Sequence, residues 1–220
     1  MDSRIIKILV DSFGSLLLAG FKMTIPLTVI SFSIGLVIAL FTALVQTAKV
    51  PVLRKLARFY VWIIRGTPMI VQLFVVYFGL PNIGILLSAF ASAVLVFSVS
   101  VGAYCSETVR VAIESVPVGQ MEAGYCVGMN YWQIMYRIVI PQALRTAFPP
   151  LSNSLIGLVK DTSLAYSISI VEIMATAQRI ATRTYDYFLL YIEAAFVYLI
   201  FCTVLQWMQR YLEGKLAQKR

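Results

Sequence analysis

The chain has 220 residues, of which 60% are hydrophobic and only 13% charged. That balance excludes an ordinary soluble domain. The net charge of +8 is gathered in short clusters beside apolar runs, not in a basic stripe with interleaved aromatics, and so gives no support to nucleic-acid binding.

Histidine is absent, and Cys105, Cys126 and Cys202 show no metal-ligand or redox spacing. All three are read as small apolar residues held inside the fold. No catalytic group, metal or cofactor is implied. Near the N-terminus, Arg4 and Lys7 precede Leu16, Leu17, Leu18, Ala19 and Gly20 in the manner of a signal sequence. Asp11 interrupts the pattern and the apolar stretch is short, so this segment is read as a retained amphipathic lead-in.

Residues 23–48 and 66–106 carry no charged side chain. About 20 apolar residues cross the hydrocarbon core, so the second run holds most of two spans. Five spans are predicted, over residues 23–46, 59–80, 85–108, 138–159 and 187–208. The second must include Arg65 to be long enough. Pro81-Asn82-Ile83-Gly84 predicts a tight turn and an antiparallel return. The expected fold is an all-α polytopic bundle, with residues 1–220 as a single membrane domain.

Basic residues of the short loops set orientation. Lys49, Arg54, Lys55, Arg58 and Arg65 follow the first span with no acidic residue among them. Arg110, Arg137 and Arg145 outnumber Glu114 and Glu122, and the tail carries Arg210, Lys215, Lys219 and Arg220 against Glu213. Residues 1–20 and 160–186 are balanced. The C-terminus is therefore expected in the cytoplasm and the N-terminus outside, which requires an odd number of spans. Five spans do not divide into the two matching halves of an inverted-repeat carrier.

The loop over about 112–138 is the most informative segment. Glu122 and Ala123 are expected to open a short helix, and Gly128 to permit a sharp turn or a close approach by another surface. Met129, Trp132 and Met135 recur at helical spacing as an apolar edge. Pro141 suits the first turn of the fourth span. From these residues alone, a docking handle and an amphipathic linker on the membrane surface fit equally.

The spacing Glu122-Ala123, Gly128, Ile138, Pro141 resembles the EAA loop in membrane subunits of ATP-binding-cassette (ABC) importers, above all the polar amino-acid permease family. Arg65-Gly66-Thr67-Pro68 with Val71-Gln72-Leu73 resembles that family's second-span signature. Ala103-Tyr104, Glu107, Val116-Pro117 and Gly119-Gln120 resemble its approach to the loop. Pro141-Gln142-Ala143, Pro149-Pro150-Leu151, Asn153 and Lys160-Asp161-Thr162-Ser163 resemble the family's span on the C-terminal side of the loop. Gly124 departs from the commoner alanine.

The resemblance implies a type I importer permease fold in the inner membrane. It implies a second permease subunit, identical or paralogous, and a dimer of cytoplasmic ABC ATPase subunits whose clefts receive Glu122, Ala123, Gly128, Ile138 and Pro141. An extracellular or periplasmic binding protein would deliver the amino acid. The chain itself has no G-x-x-x-x-G-K-[ST] phosphate loop, so the chain is not read as an enzyme and hydrolysis is expected on a partner.

Ionisable groups at membrane depth are candidates for function. Lys160, Asp161, Thr162 and Ser163 close the fourth span, where a pathway would open outward or a helix end would be salt-bridged. Glu107 is either a pathway residue or the i, i+3 partner of Arg110. Arg65 can snorkel, with a kink at Gly66-Thr67-Pro68. Glu172 is read as an external-face charge, Glu193 as a helix contact, and Arg179 and Arg183 as solvating an external face. Pro149-Pro150 suggests a hinge. An ion-coupled carrier or channel, or a scaffold without transport, would keep the spans but would not need the loop. The stretch from 171–174 through 184–188 looks most like cystine-type permeases, with arginine and glutamine left open.

Overall fold

The computed structural model describes residues 3–47 and 50–217, all helices and short connections with no strand among them. Asp2, Lys49, Lys219 and Arg220, counted above for orientation, lie outside the described residues.

Helix α1 (Ser3–Ala19) does not stop before the membrane. It runs through a widened turn, Gly20–Thr24, into α2 (Ile25–Thr47), so that Lys7–Thr47 forms one apolar helix. The helix that contains the expected span 23–46 thus begins far earlier, because nothing in the lead-in breaks helical hydrogen bonding. One face carries Ser12, Leu16, Gly20, Thr24, Thr28, Ser31, Gly35, Ala39 and Ala43, all buried. Lipid offers little hydrophobic drive for helix pairing, so small residues that let backbones approach supply the packing. Helix α2 packs most closely on α5 (Ala89–Glu114). A methyl group on Gly35 would strike the Val101 side chain and lie 3.0 Å from the Ser98 carbonyl.

The second span departs from expectation. Helix α3 (Pro51–Gly66) and helix α4 (Met69–Phe74), the latter continuing to Ile83, meet at 103° rather than forming one rod over 59–80. Thr67 precedes Pro68 and is driven to an extended conformation, φ −119°, ψ 143°. Beyond α4, Gly84 takes φ 83° and closes the expected turn, its N–H donating to the Pro81 carbonyl at 3.0 Å.

The segment after α5 holds α6 (Val118–Cys126) and α7 (Tyr131–Ile134), and α7 runs on through Met135–Val139 into α8 (Ile140–Asp161). A 3-10 turn over Thr162–Ile168 leads to α9 (Ile173–Thr184) and α10 (Tyr187–Ala217). Helix α8 continues through Pro149 and Pro150, which therefore mark no break. Among the described residues, three helices are long and apolar enough to cross a membrane, and the number reaches five when each of two bent pairs counts as one span.

Three π-type turns, Gly20–Thr24, Val75–Gly79 and Met135–Val139, each end two residues before a proline: Pro26, Pro81 and Pro141. In each, the residue just before the proline donates its N–H five residues back, as Ile140 does to the Met135 carbonyl. A proline ring crowds the preceding turn and brings no N–H, so widening that turn relieves both effects. Pro141 accordingly sits inside a continuous helix rather than at a free helix start.

The core has three parts. Leu27, Leu73, Phe97, Leu158 and Ile168 fill the space among α2, α4, α5 and α8. Leu16, Ile173, Val197 and Phe201 join α1, α9 and α10. Ala112, Val116, Ile134, Met135 and Val139 lie beneath the loop. Cys105 and Cys202 are buried as expected, whereas Cys126 is exposed at the end of α6.

Candidate functional site: coupling loop and substrate cleft

Helix α6 begins at Val118 after Pro117, so Glu122 and Ala123 lie in its middle rather than opening it. Both are exposed on its outer side. The helix stops just before Gly128, whose φ of 81° an L side chain rarely adopts. The Met129 N–H reaches the Gly124 carbonyl at 3.0 Å and the Gly128 N–H the Tyr125 carbonyl at 3.0 Å, the paired bonds that stop a helix at a left-handed glycine. Asn130 then starts α7. Its side chain accepts from the Gln133 N–H and Gln133 returns a bond to the Asn130 N–H, each 2.9 Å.

The buried side of this hairpin is Ile134, Met135 and Val139, with Ile138 partly buried. Trp132 is 76% exposed, so the expected Met129-Trp132-Met135 edge is split between the two sides. Gly124, the departure from the commoner alanine, sits in close contact with the following segment. A methyl group there would lie 2.7 Å from Ile134 Cγ1 and 3.3 Å from Ile138 Cδ1. Its bareness seats α6 on the base of α8. Val118, Tyr125, Val127, Trp132 and Tyr136 are exposed on the same loop, an apolar concentration of the kind found at interaction surfaces.

A second feature lies between α4, α5 and α8. Met69, Ser100, Tyr104, Ser154 and Asp161 help line a cleft of about 350 Å³. Asp161 is the only charged side chain among its lining residues. Lys160 is exposed and Ser163 half-buried, while Thr162 is fully buried with its hydroxyl donating to the Val159 carbonyl at 2.7 Å. Thr162 therefore faces the packed interior rather than the cleft. Glu107 pairs with Arg110 at 2.7 Å, and Arg110 also holds Glu114 at 2.7 Å. Arg65 lies over the Tyr104 ring, 5.2 Å from its centre.

Two glutamates join elements of the fold. Glu172 is fully buried and caps α9, accepting from the Met174 and Ala175 N–H groups at 2.8 and 2.7 Å and from the Tyr198 hydroxyl. It is not an external-face charge. Glu193 accepts from the Ser12 hydroxyl and ties α10 to α1, the helix contact expected of it. Arg179 and Arg183 line an exposed cleft beside Tyr166 and Gln178.

Residues 34–218 match the family of binding-protein-dependent transport system inner membrane components. The L-cystine transport system permease protein TcyB of Bacillus subtilis (strain 168) is 47% identical over 207 residues, covering 94% of this chain and 88% of that one. The probable amino-acid ABC transporter permease protein YckA of the same organism is 40% identical over 211 residues, covering 96% and 93%. A crystal structure of an amino acid ABC transporter with histidines superposes with a TM-score of 0.87 at 30% identity, over 94% of this chain and 96% of that one. The chain belongs to the inner-membrane permease family of binding-protein-dependent transport systems. It is the permease subunit of a polar amino-acid ABC importer, with the type I fold, set in the inner membrane as a multi-pass protein. It is non-catalytic; the ATPase is a separate subunit, and family membership implies a partner permease as well. A carrier, channel or inert scaffold is thereby set aside.

Proposed function

We propose that this permease moves cystine into the cell and that the ammonium group of the amino acid is received by Asp161. The observation that carries the reading is the position of that carboxylate: one acidic group in a cleft walled by three helices, beside the hydroxyls of Ser100, Tyr104 and Ser154. A carboxylate recognises an ammonium by a charge-assisted hydrogen bond, and flanking hydroxyls serve the rest of a polar amino acid. Lys160 and Ser163 line the approach, and Glu107 with Arg110 lies further along α5 toward the loop. The 47% identity to a cystine permease supports cystine over arginine or glutamine.

The ATPase dimer docks on residues 112–138, with Glu122, Ala123 and Gly128 at the contact and Ile138 and Pro141 carrying its motion into α8. The bonded turn at Gly128 and the tight seat at Gly124 make the loop a firm handle, which supports docking over an amphipathic linker on the membrane surface. The charge asymmetry supports a cytoplasmic C-terminus and an N-terminus outside. An extracellular binding protein delivers the substrate, and residues 1–220 act as one domain.

Two measurements test this. Affinity purification in mild detergent should recover an ATPase with a phosphate loop, and a co-purifying paralogue would show a heterodimer rather than a homodimer. Uptake of labelled cystine, arginine and glutamine by the assembled system should favour cystine, and Asp161→Ala should lower uptake at least tenfold with assembly intact. Equal uptake by that variant would remove Asp161 from the pathway.

A further inference from the structure

Two side chains, Gln72 and Thr67, bond across the elbow between α3 and α4. The last carbonyls of a helix have no partner within it, and at membrane depth an unpaired carbonyl is costly. Here side chains supply the bonds. The Gln72 amide nitrogen donates to the Ile64 carbonyl at 2.9 Å, to the Thr67 carbonyl at 3.2 Å and to the Thr67 hydroxyl at 2.9 Å. The Thr67 hydroxyl in turn donates to the Ile63 carbonyl at 2.9 Å. Gln72 therefore reaches from α4 back across the 103° bend to the end of α3.

Both sides of this elbow meet the cleft. Met69, the first residue of α4, lines it directly. Arg65, in the last turn of α3, sits on the ring of Tyr104, another lining residue. Gly66 has open space around it, so packing at that position does not hold the angle. We propose that Gln72 is a positioning residue for substrate recognition: its amide clamps Ile64 and Thr67 and thereby fixes where Met69 and Tyr104 stand in the cleft.

The inference rests on the cleft being the amino-acid site, so Gln72→Met and Asp161→Ala are measured side by side in the assembled transporter. Gln72→Met keeps the length of the side chain and removes its donors. It should raise the KM for labelled cystine at least fivefold, with the maximal rate and the quantity of assembled complex within twofold. Hydrogen exchange at the backbone amides of residues 64–72 should quicken about tenfold. Thr67→Val, which removes one acceptor and the bond to Ile63, should raise KM about twofold. Added to Gln72→Met, it should change little, since both act through one clamp.

An unchanged KM in an assembled Gln72→Met variant overturns the inference, as do independent, multiplying effects of the two substitutions. Should Gln72→Met fail to assemble, Thr67→Val decides alone: a raised KM supports the clamp and an unchanged one overturns it. If Asp161→Ala impairs uptake while Gln72→Met does not, the elbow inference falls and the cleft stands. If Asp161→Ala has no effect, the cleft reading falls and takes the positioning role with it, even where exchange shows that the clamp exists.

Discussion

The hydroxyl of Tyr198, in α10, donates to the buried carboxylate of Glu172, which caps the N-terminus of α9. This joins the segment after the fourth span to the last helix. A buried carboxylate needs every donor it has, because an unmet acceptor keeps its full desolvation cost. Tyr198→Phe should destabilise the purified complex by about 1–3 kcal/mol. Glu172→Ala, which also removes the cap, should cost more. Thermal unfolding of both variants in detergent checks the order; a Tyr198→Phe variant as stable as the parent would contradict the packing described.

Gly128 stops α6 in a left-handed conformation at φ 81°. Asparagine visits that region more readily than other L residues, whereas a β-branched residue is strained there by about 1–2 kcal/mol or more. Gly128→Val is therefore expected to lower the stimulation of ATPase activity by loaded binding protein at least tenfold, and Gly128→Asn to retain most of it. Full stimulation with valine would mean that the turn is not needed for coupling.

Gly124 tests the seat beneath the loop. Leucine there must displace Ile134, whose Cγ1 would lie 2.7 Å from the new Cβ, and overpacking of this kind costs about 1–3 kcal/mol. Gly124→Leu should lower the melting temperature and weaken ATPase recovery in a pull-down. Pairing it with Ile134→Ala, which makes room, should restore part of both. No restoration would place the defect outside this contact.

Glu107 and Arg110 are each 29% exposed at the side chain. Ion pairs this open contribute about 0–1 kcal/mol. Glu107→Gln should keep uptake within about twofold of the parent, and a tenfold loss would assign Glu107 to the pathway itself.

Much of the outline could be read from residues near one another in the chain. The uncharged runs announced the spans, Pro81-Asn82-Ile83-Gly84 the turn, and Gly128 the sharp change of direction. The residue before Pro68 is barred from the helix by contacts within a dipeptide, so the kink was foreseeable although its size was not. The pairing of Glu107 with Arg110 was legible because three residues bring two side chains to one helix face.

Short-range patterns in the chain settle the class: an apolar, all-helical membrane protein with an elaborate loop, since hydropathy, proline and glycine act over a few neighbouring positions. Folding settles which polar groups are buried and with whom. Ser12 meets Glu193 across a separation of 181 residues and Tyr198 meets Glu172 across 26. No local rule joins such positions. The same holds for Gly124, whose need for bareness comes from Ile134 after a reversal of the chain, and for Gln72, whose amide finds its partners only because α3 and α4 bend toward each other. A carboxylate in sequence is simply a charge; its surroundings decide whether it caps a helix, holds an arginine or faces a cleft, and packing creates those surroundings.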